Sequence, residues 1–370
     1  MSYKNSIRRL FSRCLHAAAV VTLAAGLAPA LAQAGQSAGA VYVMSNQTSG
    51  NSVLVYNRAA DGTLTYSTEV PTGGTGFGTG GDPLVSQGAL VYANGLLFAV
   101  NPGSNDVSMF AANARELTLR DKVSSGGERP VSIAVHGLLA YVLNQGGTPN
   151  ISGFVIDPFR HRLVPLPNSQ RPLAGGAAAG GAEVSFSPDG GLLIVTERAA
   201  GAIDTYRVDH LGYASQPTSH PSSGNGPFGF SVTKRGYAIV SEAASGAASS
   251  YDIEDNGSLE LVSGSVALGQ RAPCWLITTG DGRYAFTANA GSGTITSLRI
   301  GADGTLSIVN QVAGVLAAPL DMAMSTDSHF LYAREGTGLV SGFRVGSDGS
   351  LTPVNTLGNI PAGAQGIAAR

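Results

Sequence analysis

Cysteine, tryptophan and charge are all scarce in this chain. The 370 residues hold two cysteines, Cys14 and Cys274, and one tryptophan, Trp275. Charged residues make up 12%, against a usual quarter. Only three lysines occur, Lys4, Lys122 and Lys234, and the formal net charge is −2. With no basic patch and no charge run, a nucleic-acid partner has nothing to bind to. The histidines His136, His161, His210, His220 and His329 are not spaced as zinc ligands, and no carboxylate cluster matches a calcium loop. A nucleophile elbow and a phosphate-cradling glycine loop are also missing. Neither a metal nor a cofactor is expected.

The first 34 residues differ from the rest. Lys4, Arg8, Arg9 and Arg13 precede an acid-free apolar run from Ala17 to about Ala28. Ala30-Leu31-Ala32 and Ala32-Gln33-Ala34 offer small-x-small cleavage sites. The segment reads as a secretory signal peptide, with periplasmic or secreted localisation, because the apolar run is too short to span a bilayer. A retained amphipathic helix is the alternative. The Arg8-Arg9 pair hints at export in the folded state. Cleavage would remove four basic residues and no acid, taking the net charge from −2 to about −6. It would also leave Cys274 alone, so no intramolecular disulfide can brace the mature chain. No later stretch is long enough to cross a membrane.

Glycine is what the chain has in excess: 51 residues, roughly twice the usual share. It falls at the turns of a repeated phrase. Short apolar strands end in turn on Asn46, Asn101, Asn144, Glu197, Glu242, Asn289 and Glu335, at spacings of 55, 43, 53, 45, 47 and 46 residues. Asp-Gly and Asn-Gly pairs such as Asp61-Gly62, Asn256-Gly257, Asp303-Gly304 and Asp348-Gly349 tolerate the positive φ of tight hairpins. A period in the forties built of four strands is the signature of a β-propeller blade. The expected fold is all-β over residues 35–370, a seven-bladed propeller with four antiparallel strands per blade.

The first unit starts at its second strand, Val41-Tyr42-Val43, and Ala364 to Ala369 has the form of a lone first strand. Joining them closes the ring and leaves no open edge there. Insertions at Thr72–Gly81 and Asn168–Gly181 both fall between fourth and first strands. Such connections share a face with the Asn/Glu ladder, and function is expected on that face.

Entries to the first strands and the ladder together supply candidates for one pocket: Arg129, Glu183, Glu197, Glu242, Arg271, Cys274, Trp275, Asn289, Asp321 and Glu335. Arginines beside carboxylates suit an anion clamp or acid–base chemistry. The competing reading has ladder residues bonding nearby backbone N–H groups. Cys274 is either a nucleophile or a small plug on the inner strand. Trp275 either walls a ligand pocket or fills the channel.

The phrases Ser187-Pro188-Asp189-Gly190, Asp281 to Asn289, and Ile295 to Leu306 resemble the seven-bladed lactonase family, over about residues 40–370. That family includes 6-phosphogluconolactonases and the fungal carboxymuconate-cyclising enzymes. The resemblance implies lactone chemistry at one channel mouth on a small anionic substrate, without a tightly bound cofactor. It implies that arginine, histidine and glutamate bind the carboxylate and move the proton. Here Ala182-Glu183 stands where the family has an Arg-His pair, so Glu183 replaces the histidine. Glu197 and Glu242 fall near the family's second-strand acid, and Arg129 and Arg271 are the candidates to serve as the anion clamp. The expected activity is a lactone hydrolase with a glutamate base, acting as a monomer. The alternative is a non-catalytic binding or scaffold module. A quinone-dependent dehydrogenase lacks its metal-ligand set.

Overall fold

A computed structural model describes residues 38–370, with 79, 114 and 115 excepted. The expected signal segment 1–34 and Cys14 lie outside the described residues.

Seven antiparallel sheets follow one another along the chain; six are meanders ordered as their strands occur, and the first takes its inner strand from the C-terminal end. The second strands, such as Leu96–Asn101, Leu192–Glu197 and Tyr284–Asn289, lie between neighbouring blades and are apolar and buried on both faces. Fourth strands such as Leu64–Pro71 and Leu306–Val315 form the rim and are mostly exposed. Blade three is extended, with Arg171–Pro172 adding a short pairing to its third strand, Asn150–Asp157.

Closure occurs as the two ends of the sequence suggest. Ile367–Ala369 pairs antiparallel with Gly39–Met44, in the register Val43↔Ile367, Tyr42↔Ala368 and Val41↔Ala369. The Met44 N–H donates to the Gly366 carbonyl and the Arg370 N–H to the Ala40 carbonyl, at 3.0 and 2.9 Å.

Two irregularities aim side chains at the central channel. In blades three to seven the residue entering the first strand is left-handed: Arg129, Gly180, Gly226, Ala272 and Ala318 have φ of 52, 58, 69, 50 and 56°. A β-bulge follows in each, as between Pro273 and Trp275 or Pro319 and Met322. Bulges of this kind re-aim one residue at a strand's start, here Cys274 and Asp321 among others. Blade two departs from the pattern. Its first strand is only Leu90–Ala93, and the preceding segment from Asp82 to Gly88 runs into the channel instead. The Gln87 side chain there donates to the Leu276 carbonyl at 2.8 Å and accepts the Leu276 N–H at 2.9 Å. Val85 is held at φ 52°, an uncommon setting for a β-branched residue. This segment plugs the ring.

Candidate active site at the channel mouth

On the ladder face, above the plug, lies a cavity of about 550 Å³ lined by Asp82, Val85, Arg198, Phe228, Cys274 and neighbouring small residues. Its walls are the entries of blades two, five and six and the turns that follow the second strands of blades four and five. Asp82 Oδ1 accepts the Val85 N–H at 2.9 Å and a hydrogen bond from Gln365 Nε2. Burial pushes its carboxyl up to about 6, against the pull of these bonds and of the Arg334 and Arg198 charges. A carboxylate poised there suits proton transfer near neutral pH.

Of the residues singled out in the sequence, Cys274 lines this cavity. Burial, with the Asp82 charge, pushes its thiol up to about 12, so it stays protonated and is no nucleophile. Trp275 lies beneath, edge-on to Phe228 with ring centroids 5.4 Å apart, and its Nε1 donates to the Ser86 carbonyl at 2.9 Å. Tryptophan thus joins blade six to the plug and closes the floor. Arg129 stacks on Phe77 at 4.1 Å and donates through Nη2 to the Pro83 carbonyl at 2.9 Å. Burial lowers its pKa and the Asp82 charge opposes that.

Glu183 and Asp321 sit deeper. Glu183 Oε2 accepts the Phe230 N–H at 2.6 Å and Oε1 accepts from Gln87 Nε2 at 3.3 Å. Burial raises its carboxyl well above the usual range, and the nearby Asp321 charge adds to this. Burial likewise brings Asp321 up to about 8. Both line a second cavity of about 210 Å³ at the other end of the channel, with Gln87, Tyr92, Met322 and Met324.

The expectation of a single pocket is therefore corrected. Glu197, Glu242, Asn289 and Glu335 are buried and bonded within their own blades. Glu197 accepts the Gly175 N–H at 2.9 Å, Glu242 the Gly224 N–H at 2.7 Å, and Asn289 donates to Thr294 and Thr296 at 3.0 and 2.9 Å. For the glutamates this is the backbone-bonding reading of the ladder, whereas Asn289 bonds threonine hydroxyls of its own blade. Arg271 is exposed, holding Ser292 Oγ through its backbone N–H at 2.8 Å, and it does not line the mouth.

Sequence reasoning passed over Asp82, Arg198 and Arg334. Arg198 is the one basic residue directly after a ladder position, and Arg334 the one charge inside an otherwise apolar-to-ladder second strand, Phe330–Glu335. Arg334 is buried with Nε and Nη1 free of partners. Burial lowers its pKa while the Asp321 and Asp82 charges raise it. Among the described residues, no group of three or more His, Cys, Asp or Glu is placed to hold a metal ion. No described helix is long and apolar enough to cross a membrane.

Residues 232–315 match the family model described as Lactonase, 7-bladed beta-propeller. A comparison with curated proteins finds no significant match. Among solved structures, the Pseudomonas aeruginosa periplasmic gluconolactonase is 17% identical over 90% of this chain and 98% of its own, with a TM-score of 0.65. A Bacteroides uniformis protein, provisionally named a 6-phosphogluconolactonase, is 18% identical over 90% and 99%, with a TM-score of 0.67. A Desulfotomaculum acetoxidans protein of unknown function is 13% identical over 90% and 98%, also at 0.67. At these identities the solved structures establish the shared fold.

Proposed function

Starting from a lactonase-like seven-bladed β-propeller, we propose that this protein hydrolyses a small anionic lactone at the ladder-face mouth, with Asp82 as general base. The reading rests on one observation: a half-buried carboxyl, raised to about 6, in the wall of an open cavity that also holds Arg198. Asp82 Oδ1 is occupied by Val85 and Gln365, which fixes the carboxylate and leaves Oδ2 for a water molecule. Asp82 takes a proton from that water as its oxygen adds to the lactone carbonyl. The tetrahedral intermediate collapses with cleavage of the ring C–O bond, and Asp82 returns the proton to the departing ring oxygen. The product is an open-chain hydroxy acid. Arg198 supplies positive charge for the substrate's anionic group and the developing oxyanion. Arg129 and Arg334, whose charges act on Asp82, bias the mouth toward anions. Export directed by residues 1–34 places the reaction outside the cytoplasm in this proposal.

The test is proton release by the purified mature chain against γ- and δ-lactones bearing a carboxylate. Asp82→Asn is expected to lower kcat by ~100-fold or more, the usual scale of general-base loss, with the fold intact. Arg198→Ala should chiefly raise KM. A second reading, a non-catalytic binding module, draws on the floor that Phe228 and Trp275 close beneath the mouth. Saturable binding of carboxylates without any turnover would select it.

A further inference from the structure

In six of the blades the ladder residue reaches diagonally to a side chain on the third strand, the spacing at which same-face neighbours interact. Five times that neighbour is a hydroxyl. Asn101, Asn144 and Asn289 donate to Ser108, Ser152 and Thr296 at 2.8, 2.9 and 2.9 Å. Ser249 and Ser341 donate to the carboxylates of Glu242 and Glu335. In blade four the neighbour is Asp204, facing Glu197. A hydroxyl brings its own proton to a carboxylate; a second carboxylate brings none.

Glu197 and Asp204 are both fully buried, at 0% exposure. Asp204 Oδ1 receives no hydrogen bond from an ordinary donor, although the two carboxyls are in hydrogen-bonding contact. That contact is a hydrogen bond only while one of the pair holds a proton. Tyr206 also faces the pair, with its hydroxyl 3.0 Å from the Pro172 carbonyl and 3.4 Å from Asp204 Oδ2. Nearby Arg171 is engaged by the Ala214, Asn168 and Gln170 carbonyls, and His220 by Thr205. On the flanking blades Asn144 and Glu242 are bonded internally. No described cation forms a salt bridge with either acid.

The pair carries the blade-four insertion. The Ala174 N–H donates to Asp204 Oδ2 at 2.8 Å and the Gly175 N–H to Glu197 Oε2 at 2.9 Å. The short 3-10 turn Gly176–Ala178 follows. Past it, the Ala179 and Gly180 carbonyls accept the Ala199 and Arg198 N–H groups at 3.0 and 3.1 Å. Residues 198–201 are a wall of the mouth cavity.

We propose that Glu197 and Asp204 are positioning residues that form a one-proton latch, holding segment 174–180 and through it the Arg198 wall, and that losing the proton loosens both. Burial brings Glu197 up to about 8 and the Asp204 contact adds to this, consistent with a shared proton at neutral pH. Two bare charges in a dry site are costly. The covering Gly-Ala segment is what the two carboxyls hold in place. The effect on turnover rests on the mouth being the active site, but the latch itself does not.

Hydrogen exchange on the full chain, from about pH 6 to 9.5 and corrected for base catalysis of exchange, tests it. Protection at Gly175, Arg198 and Ala199 should fall by about tenfold between pH 7 and 9, as expected for one linked proton. Asp204→Ser installs a hydroxyl like those of the other five blades, serine in four and threonine in one, and should abolish the fall while keeping protection. Should that variant misfold, Glu197→Gln, whose amide donates to Asp204, should do the same. Flat protection in the wild type, or an unchanged fall in the variant that folds, overturns the latch. Lactone turnover measured alongside separates the two ideas, since it can be absent while the exchange result stands.

Discussion

Asp82 shows at the residue scale why a site is harder to read than a scaffold. It precedes Pro83, as Arg129 precedes Pro130, and looks like an ordinary strand entry. Its place in the mouth arises because blade two breaks the pattern and sends Asp82 to Gly88 into the channel, where burial raises the carboxyl. A sequence read by period cannot show where one copy leaves the period. Glu197 and Glu242 misled in the opposite sense: a regular ladder of polar residues marked the repeat's own hydrogen bonding. If Asp82 is the base, its active form is the carboxylate. Then kcat/KM rises with pH through about 6 and levels above it. Asp82→Asn should flatten that limb; a limb that survives in the variant would assign the base elsewhere.

At the element scale, strand entries store strain that the sequence hid. Ala272 and Ala318 sit at φ of 50 and 56°, in a region that disfavours a residue with a Cβ by roughly 1–2 kcal/mol. Glycine occupies the equivalent entry at Gly180 and Gly226. Ala318→Gly should therefore stabilise the protein by about 1 kcal/mol, measured by denaturant midpoint. Ala323→Gly, inside the same strand, should cost a similar amount. Turn chemistry, in contrast, was legible residue by residue. Asp61, Asp303 and Asp348 each accept the N–H two residues on, at 2.9, 3.2 and 3.0 Å, because Asp followed by Gly and Thr or Ser closes that hairpin wherever it occurs.

For the whole molecule the period and the split first blade announced the architecture, because each blade repeats the same burial problem. Net proton balance was not legible, since it depends on which carboxylates the ring encloses. Burial raises Asp82 to about 6 and Asp321 and Glu197 to about 8. Between an unfolded pKa near 4 and those values the folded state holds extra protons, so these groups' stabilisation is lost as pH rises through that window. Turn aspartates run the other way. Hydrogen bonds from Thr63, Thr305 and Ser350 hold Asp61, Asp303 and Asp348 low, a stabilisation lost in acid. Thermal midpoints should peak near pH 4–5, decline to about 8 and then level. A steady rise from 5 to 8 would contradict this burial pattern. Removing residues 363–370 should cost ~1 kcal/mol per backbone bond and ~1.5–3 for Ile367, read as a sharply lowered Tm.

The pairing of Ile367–Ala369 with Gly39–Met44 also sets an order in time. The sheet whose strands are synthesised first is the sheet completed last. A nascent chain halted before residue 365 carries a bare inner edge on its oldest blade. Every residue in between must be delivered before that edge is covered.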